Sequence, residues 1–221
     1  LEDKFIQVKI GDLLRQAAQE VGVSLEDLQI ELFGLYLREL LEWNKTFNLT
    51  GIKAPEEIVI KHFVDSLTPL PYLDPFGRLL DIGPGAGFPS IPLKITAPEL
   101  KVQLVEAKRK KVSFLRHIIR TLKLEAVTII HGRVEDLEPP DKPFDTIISR
   151  AVTHLEPLLK IVSPLMEPGN TLVTMYGPTT VKERTRLADC GLVESLELER
   201  VVSLELPRGR GGRTLLFFKK I

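Results

Sequence analysis

The chain holds a single cysteine, Cys190, in 221 residues, which excludes an intramolecular disulfide and any cysteine-rich zinc site. A lone thiol suits a reducing compartment and reads as a small buried side chain. No apolar run approaches the ~18–20 residues that a membrane helix needs. The opening stretch LEDKFIQVKIGDLL is charged throughout and carries no signal-peptide pattern. These absences point to a cytoplasmic protein with no membrane partner and no bound metal. Net charge is lacking too, with 30 basic against 30 acidic side chains. On bulk grounds alone that argues against a nucleic-acid partner. Internal repeats and low-complexity tracts are also missing.

The charge that is present is unevenly placed. Residues 1–42 carry nine acidic and four basic side chains, residues 101–125 eight basic and two acidic, and residues 208–220 five basic and none acidic. Fields act over about a Debye length, ~8 Å in physiological salt, so a neutral chain can still present a positive surface. Hydrophobic residues make up 43% of the sequence, enough for a proper core.

Leu25, Leu28, Leu32 and Leu35 recur at three- and four-residue steps up to Trp43, a helical period, with Ser24 placed to cap it ahead of Asp27. NKTFNLTGI (44–52) reads as a polar loop, and Pro55 opens a further helix to about Leu70. PLPYLDPFG (69–77) breaks it and divides an N-terminal helical appendage, 1–70, from the remainder, 71–221. There the period changes. Short β-rich runs occur at 79–82, 102–105, 127–130, 144–148, 171–175, 201–204 and 214–218. Helical stretches near 90–97, 108–122, 134–137, 154–166 and 179–189 alternate with them. Such alternation predicts an α/β fold, a mostly parallel doubly wound sheet. PRGRGGR leaves no room for a helix between the last two runs, so they are expected to be antiparallel neighbours.

LLDIGPGAGFPSIP (79–92) runs from the first strand into Gly83, Gly85 and Gly87, the corner where such sheets bind nucleotides. A dinucleotide fingerprint requires glycine where Phe88 stands, and the lysine of a phosphate-binding loop is absent. Glu106 closes the second strand 23 residues after Gly83, near the offset at which an acid reaches a ribose diol. GRVEDL (132–137) follows the third strand, where an adenine edge would lie. No phosphate needs a cradle in this arrangement, and it fits S-adenosylmethionine better than a dinucleotide.

WNKTFNLTGI, HFVDSL, LLDIGPGAGFPSIPL, KRKKVSFLR, GRVED, FDTIISRA and GGRTLLFFKK, in that order from residue 43, resemble the bacterial family once called glucose-inhibited division protein B. Its members methylate N7 of a guanine in small-subunit (16S) ribosomal RNA. The resemblance implies a Rossmann-like class I methyltransferase with seven strands, the last antiparallel. It also implies S-adenosylmethionine contacts at Gly83, Phe88, Val134, Glu135 and Arg150, the ribose acid at Glu106, and substrate or pocket roles for Arg133 and Arg213. Two positions depart from the family: Ser90 replaces a usual glycine, and Tyr176 a usual lysine.

The residues themselves bear on the methyl acceptor. The Asn/Asp-Pro-Pro-aromatic motif of amine methylation is missing after the fourth strand, where SRAVTH stands, and Cys190 is misplaced for attack on a cytosine ring. A ring nitrogen is favoured. Guanine N7 carries a free lone pair, so no general base is expected. Arg150, ending the fourth strand, is the candidate pocket residue. His62 and Asp65 lie three apart on a helix turn, placed either to roof the pocket or to form a capping hydrogen bond. In the helix from Lys108, an apolar stripe (Val112, Leu115, Ile118, Ile119, Leu122) is set apart from a basic stripe of Arg109, Arg116, Arg120 and Lys123. That stripe suits phosphates, and Arg208, Arg210 and Arg213 in the last loop add to it. The expected partner is 16S ribosomal RNA, free or within the small subunit, bound by a monomer. On the residues alone, a small-molecule or protein methyltransferase and a non-catalytic RNA-binding module remain open.

Overall fold

A computed structural model describes residues 2–150, 155–177 and 195–221. The expected helix at 179–189, Cys190 and His154 lie outside the described residues. The chain begins with α1 (Glu2–Glu20) and α2 (Asp27–Phe47). A continuous helical run follows, made of α3 (Pro55–Ile58), a π-helical stretch (Val59–Val64) and α4 (Asp65–Leu67). The remainder alternates as β1 (Arg78–Ile82), α5 (Ser90–Thr96), β2 (Lys101–Glu106), α6 (Arg109–Thr121), β3 (Val127–His131), β4 (Thr146–Arg150), α7 (Leu155–Val162), β5 (Thr171–Tyr176), β6 (Leu196–Glu205) and β7 (Gly212–Lys220).

The sheet order is β3-β2-β1-β4-β5-β7-β6. β1 to β5 run parallel, and β7 inserts antiparallel between β5 and β6, so β6 returns to the common direction. From β1 the chain winds one way to β2 and β3 and the other way to β4 and β5. The switch point therefore lies between the carboxyl ends of β1 and β4, the usual ligand crevice.

Alternation along the strands builds two cores. Leu79, Ile148 and Val173 face a cluster shared with Phe33, Tyr36, Phe63, Ile91 and Phe114. Leu80, Ile147 and Leu172 face the other, with Leu155, Leu158 and Leu159 of α7. The helices of residues 1–70 share the first of these cores: α1 packs on α2 and on the π-helical stretch, α2 packs on α5 and α6, and α4 packs on α5.

Several boundaries differ from the sequence reading. α2 is capped by Glu26 rather than Ser24: Glu26 N–H donates to Gln29 Oε1 at 2.9 Å, and the Glu26 side chain accepts from the Gln29 backbone in return. The same helix runs on to Phe47, four residues into the expected loop. Asn44 is buried and exchanges two hydrogen bonds with the Thr50 backbone, which secures that last turn. β6 spans ten residues rather than four, because its outward glutamates mask the strand period and a bulge interrupts its register between Leu198 and Arg200. β4 starts at Thr146, after Phe144 and Asp145.

Candidate active site

The turn after β1 is shaped by its glycines. Gly83, Gly85 and Gly87 all have positive φ, at 70°, 64° and 103°. Gly87 is also fixed by space: a Cβ there would lie 2.7 Å from both the Tyr36 hydroxyl and Ile91 Cγ1. Tyr36, on α2, donates its hydroxyl to Ala86 O at 2.5 Å, so a helix of the first 70 residues grips the turn directly. Around Gly83, by contrast, nothing stands within 4 Å of a notional Cβ, and the residue is exposed. The open side of the turn is at Gly83 and the packed side at Gly87.

Glu106, at the end of β2, is 5% exposed, and both carboxylate oxygens are held by backbone. Oε2 accepts from Gly85 N–H at 3.1 Å and Oε1 from Lys108 N–H at 2.8 Å. A carboxylate offers about four lone-pair sites, so two remain for a diol. Half-buried Ile82, Ile130 and Val134 offer an apolar slot near the carboxyl ends of β1 and β3, and Val134 opens a short 3-10 turn, Val134–Asp136, in which Glu135 is exposed. Open backbone, a diol acceptor and an apolar slot fit the methionine, ribose and adenine parts of S-adenosylmethionine, and Glu106, Gly83 and Val134 would hold them.

On the other side of the turn, four further sequence motifs meet Phe88 of the turn itself. Asp65, 1% exposed, accepts a hydrogen bond from Arg213 Nε at 2.7 Å and forms an ion pair with Arg150 Nη2 at 2.8 Å. Arg150 Nη2 also reaches Lys61 O at 2.5 Å and His62 Nδ1 at 3.3 Å. A guanidinium can only donate, so Nδ1 accepts and the ring's proton sits on Nε2, which donates to Thr50 Oγ1 at 2.7 Å. Burial, followed by the Arg150 charge, pulls the His62 pKa down to about 3, so the ring is neutral. It stacks on Phe88 at 4.5 Å, and the Arg150 guanidinium lies 5.8 Å from the centre of the same ring. One carboxylate faces two guanidiniums beneath a neutral imidazole, and the cluster keeps a surplus positive charge. Burial draws the Arg150 pKa below its ordinary value, and Asp65 opposes that.

Asp81, fully buried on β1, accepts two hydrogen bonds from Ser90, from N–H at 3.2 Å and from the hydroxyl at 2.5 Å, both on Oδ2. Oδ1 has no partner among the described residues. Burial pushes this carboxyl up to about 7 despite the Ser90 bonds. Ser90, where the family usually has glycine, thus serves as the anchor of this acid.

The sequence-derived residues divide by position. Gly83, Gly85, Gly87, Phe88, Glu106, Val134, Glu135 and Arg150 all stand around the carboxyl ends of β1 to β4. Arg109 and exposed Arg133 lie at the same end, as do Arg208 and Arg210 in the loop before antiparallel β7. Arg210 pairs with Glu57 at 2.8 Å, and Arg213 turns inward to Asp65. Arg116, Arg120 and Lys123 are exposed too, but α6 and the turn after it carry them toward the opposite end of the sheet, from ~10 Å for Arg116 to ~20 Å for Lys123 at 1.5 Å per residue. There they line an open groove of about 540 Å³ with Ile119, Leu124, Val127 and Ile129. A larger cleft, about 1540 Å³, lies among α1, α2 and the 44–55 loop, and none of the glycine-turn residues lines it. Sequence reasoning left Asp65 and His62 undecided and missed Tyr36 and Asp81. Asp81 stands two residues before Gly83, a signal available in the glycine motif itself. Tyr36 is hidden in an apolar helix stripe.

This sheet order, with its glycine turn at the switch point and an acid ending β2, defines an S-adenosylmethionine-dependent methyltransferase. A crystal structure of such an enzyme from Aquifex aeolicus superposes with a TM-score of 0.59 at 18% identity, covering 79% of this chain and 97% of that one. The family model for rRNA small subunit methyltransferase G, GidB, matches residues 29–210, and the chain belongs to that family. Curated relatives named ribosomal RNA small subunit methyltransferase G include one from Syntrophus aciditrophicus, 42% identical over 94% of this chain and 88% of its own length. Another, from Bacillus mycoides, is 38% identical over 91% of this chain and 87% of its own.

Proposed function

We propose that the protein methylates N7 of a guanine in small-subunit 16S ribosomal RNA, as a cytoplasmic monomer acting on the RNA or on the small subunit. Support comes above all from the convergence of the family's motifs on one network. WNKTFNLTGI supplies Thr50, HFVDSL supplies His62 and Asp65, the glycine turn Phe88, FDTIISRA Arg150, and GGRTLLFFKK Arg213. Residues 1–70 serve in this reading as an appendage that roofs the pocket of the 71–221 domain.

Bound S-adenosylmethionine supplies an electrophilic methyl group on a sulfonium, which the N7 lone pair can attack without prior loss of a proton. The chain's task is then alignment, which can contribute up to ~7–11 kcal/mol in ideal cases. Glu106 fixes one end through a ribose diol, and the bare backbone at Gly83 admits the other. Surplus charge at Arg150 suits the carboxylate of the cofactor's methionine part. The methylated base is cationic, and Asp65 forms an ion pair with both guanidiniums, which limits their repulsion of that product. Arg109, Arg133 and Arg208 at the pocket end, with Arg116, Arg120 and Lys123 further along, supply cations for the RNA backbone; Arg210 is shared with Glu57, and Arg213, expected among them, is committed to Asp65 instead.

The deciding experiment is transfer of radiolabelled methyl groups to small-subunit RNA lacking the modification, followed by nucleoside mapping. Label on guanine N7 is expected. Label on an exocyclic amine, or none with S-adenosylmethionine bound, overturns the assignment.

A further inference from the structure

The rim of the site carries an aromatic ring that methyl transfer does not use. α2 ends on Phe47, which is 39% exposed, while the adjacent Trp43 packs against Phe114 at 5.5 Å and His117 at 5.0 Å. A single exposed phenylalanine is ordinary. Its surroundings are not. Lys110 Nζ donates to Phe47 O at 2.8 Å, holding the first turn of α6 against the end of α2. The next residue, Lys111, points the other way: its Nζ lies 3.9 Å from Glu106 Oε2 and 3.3 Å from where a Cβ on Gly85 would stand. Two consecutive lysines therefore connect Phe47 to the glycine turn.

Lys108, Arg109 and Lys110 are exposed, the first turn of α6 has no acidic residue, and none of the three is ion-paired among the described residues. Phe47 itself is held in place, since Asn48 caps α2 in a left-handed conformation and Asn44 locks Thr50 two residues beyond. Uncompensated cations beside a fixed, partly bare aromatic face are the chemistry of single-stranded nucleic-acid binding. The ring takes a base by stacking and the cations take its phosphates. A paired base is already stacked on both sides and cannot use such a ring.

We propose that Phe47 stacks an unpaired nucleotide next to the methylated guanine, with Lys108, Arg109 and Lys110 on its phosphates. This rim subsite would select single-stranded context around the target. The inference rests on RNA being the substrate.

It is tested by titrating a fluorescent single-stranded oligonucleotide of the target sequence, and the same sequence as a duplex, against full-length wild type, Phe47→Leu, Phe47→Trp and Lys110→Gln. Binding is measured apart from methylation, so failure of the N7 assignment leaves this result readable. Phe47→Leu is expected to weaken single-strand binding about tenfold, within the range seen for loss of one base stack. Its salt slope should stay unchanged, its duplex binding should change little, and the loss should fall on KM for RNA. Phe47→Trp should restore affinity. Lys110→Gln should lower the slope of log affinity against log salt by about 1. Equal affinity of Phe47→Leu and wild type for the single strand overturns the proposal. So does equal weakening towards duplex and single strand, or failure of tryptophan to rescue.

Discussion

His62 and Asp81 are two buried groups whose titration makes stability depend on pH in opposite senses. His62 is neutral when folded, with its pKa lowered from 6.5 to about 3. The unfolded chain binds the extra proton between those values, so His62 contributes stability that is lost as pH falls from about 6.5 toward 3. Asp81 has its pKa raised from 3.8 to about 7, so here the folded chain binds the proton, and stability is lost as pH rises from about 4 to 7. Each group contributes a slope of up to ~1.4 kcal/mol per pH unit, and over pH 4 to 6.5 the two offset one another. Asp81→Asn should therefore make stability rise more steeply with pH in that window, and His62→Gln should make it fall. Urea unfolding at a series of pH values reads both, and parallel pH curves for all three proteins would refute the assignment. Asp65→Asn should be costly at every pH, about 3–5 kcal/mol, because two largely buried guanidiniums would lose the carboxylate they share. Glu106→Gln tests the ribose role more cleanly than alanine, since the amide oxygen can still accept from one of the two backbone donors. Its affinity for S-adenosylmethionine should fall at least tenfold by calorimetry, with little change in melting temperature.

At the scale of elements, the glycine turn can be taken apart by where space remains. Gly83→Ala meets only the strain of a positive φ, about 1–2 kcal/mol, yet puts a methyl group on the face open to ligand. Gly87→Ala adds to the same strain a collision with Tyr36 and Ile91, so about 3 kcal/mol or more of stability should go. Paired calorimetry and unfolding should show the first losing mainly cofactor affinity and the second mainly stability; the reverse order would contradict this account of the turn. Most of these elements were legible in advance. Strands such as 79–82 and 171–175 are buried on both faces and read as continuous apolar runs. The ends of α2 and the length of β6 were not, because side-chain pairs decide them. The Asn44–Thr50 exchange and the Glu26–Gln29 box lie outside any hydrophobic period. The candidate site was legible where one local segment makes it, as at the glycine turn and Glu106. It was illegible where it depends on distant partners, as with Asp65, 85 residues from Arg150 and 148 from Arg213.

For the molecule as a whole, the shared core has a direct consequence. Phe33, Tyr36 and Phe63 cover Phe88, Ile91 and Phe114, so removing residues 1–70 would bare an apolar face of the sheet layer. The fragment 71–221 should be insoluble or expanded when expressed alone. A monomeric fragment with a cooperative melt by circular dichroism would show that the sheet folds unaided.

The position of β7 sets an order in time. It is made after the other six strands, yet it lies inside the sheet between β5 and β6 and carries Arg213 to Asp65. A chain still emerging from the ribosome therefore has neither a seat for β6 nor the second guanidinium of the pocket. A truncated product is not a weaker version of the folded chain but an unfinished one.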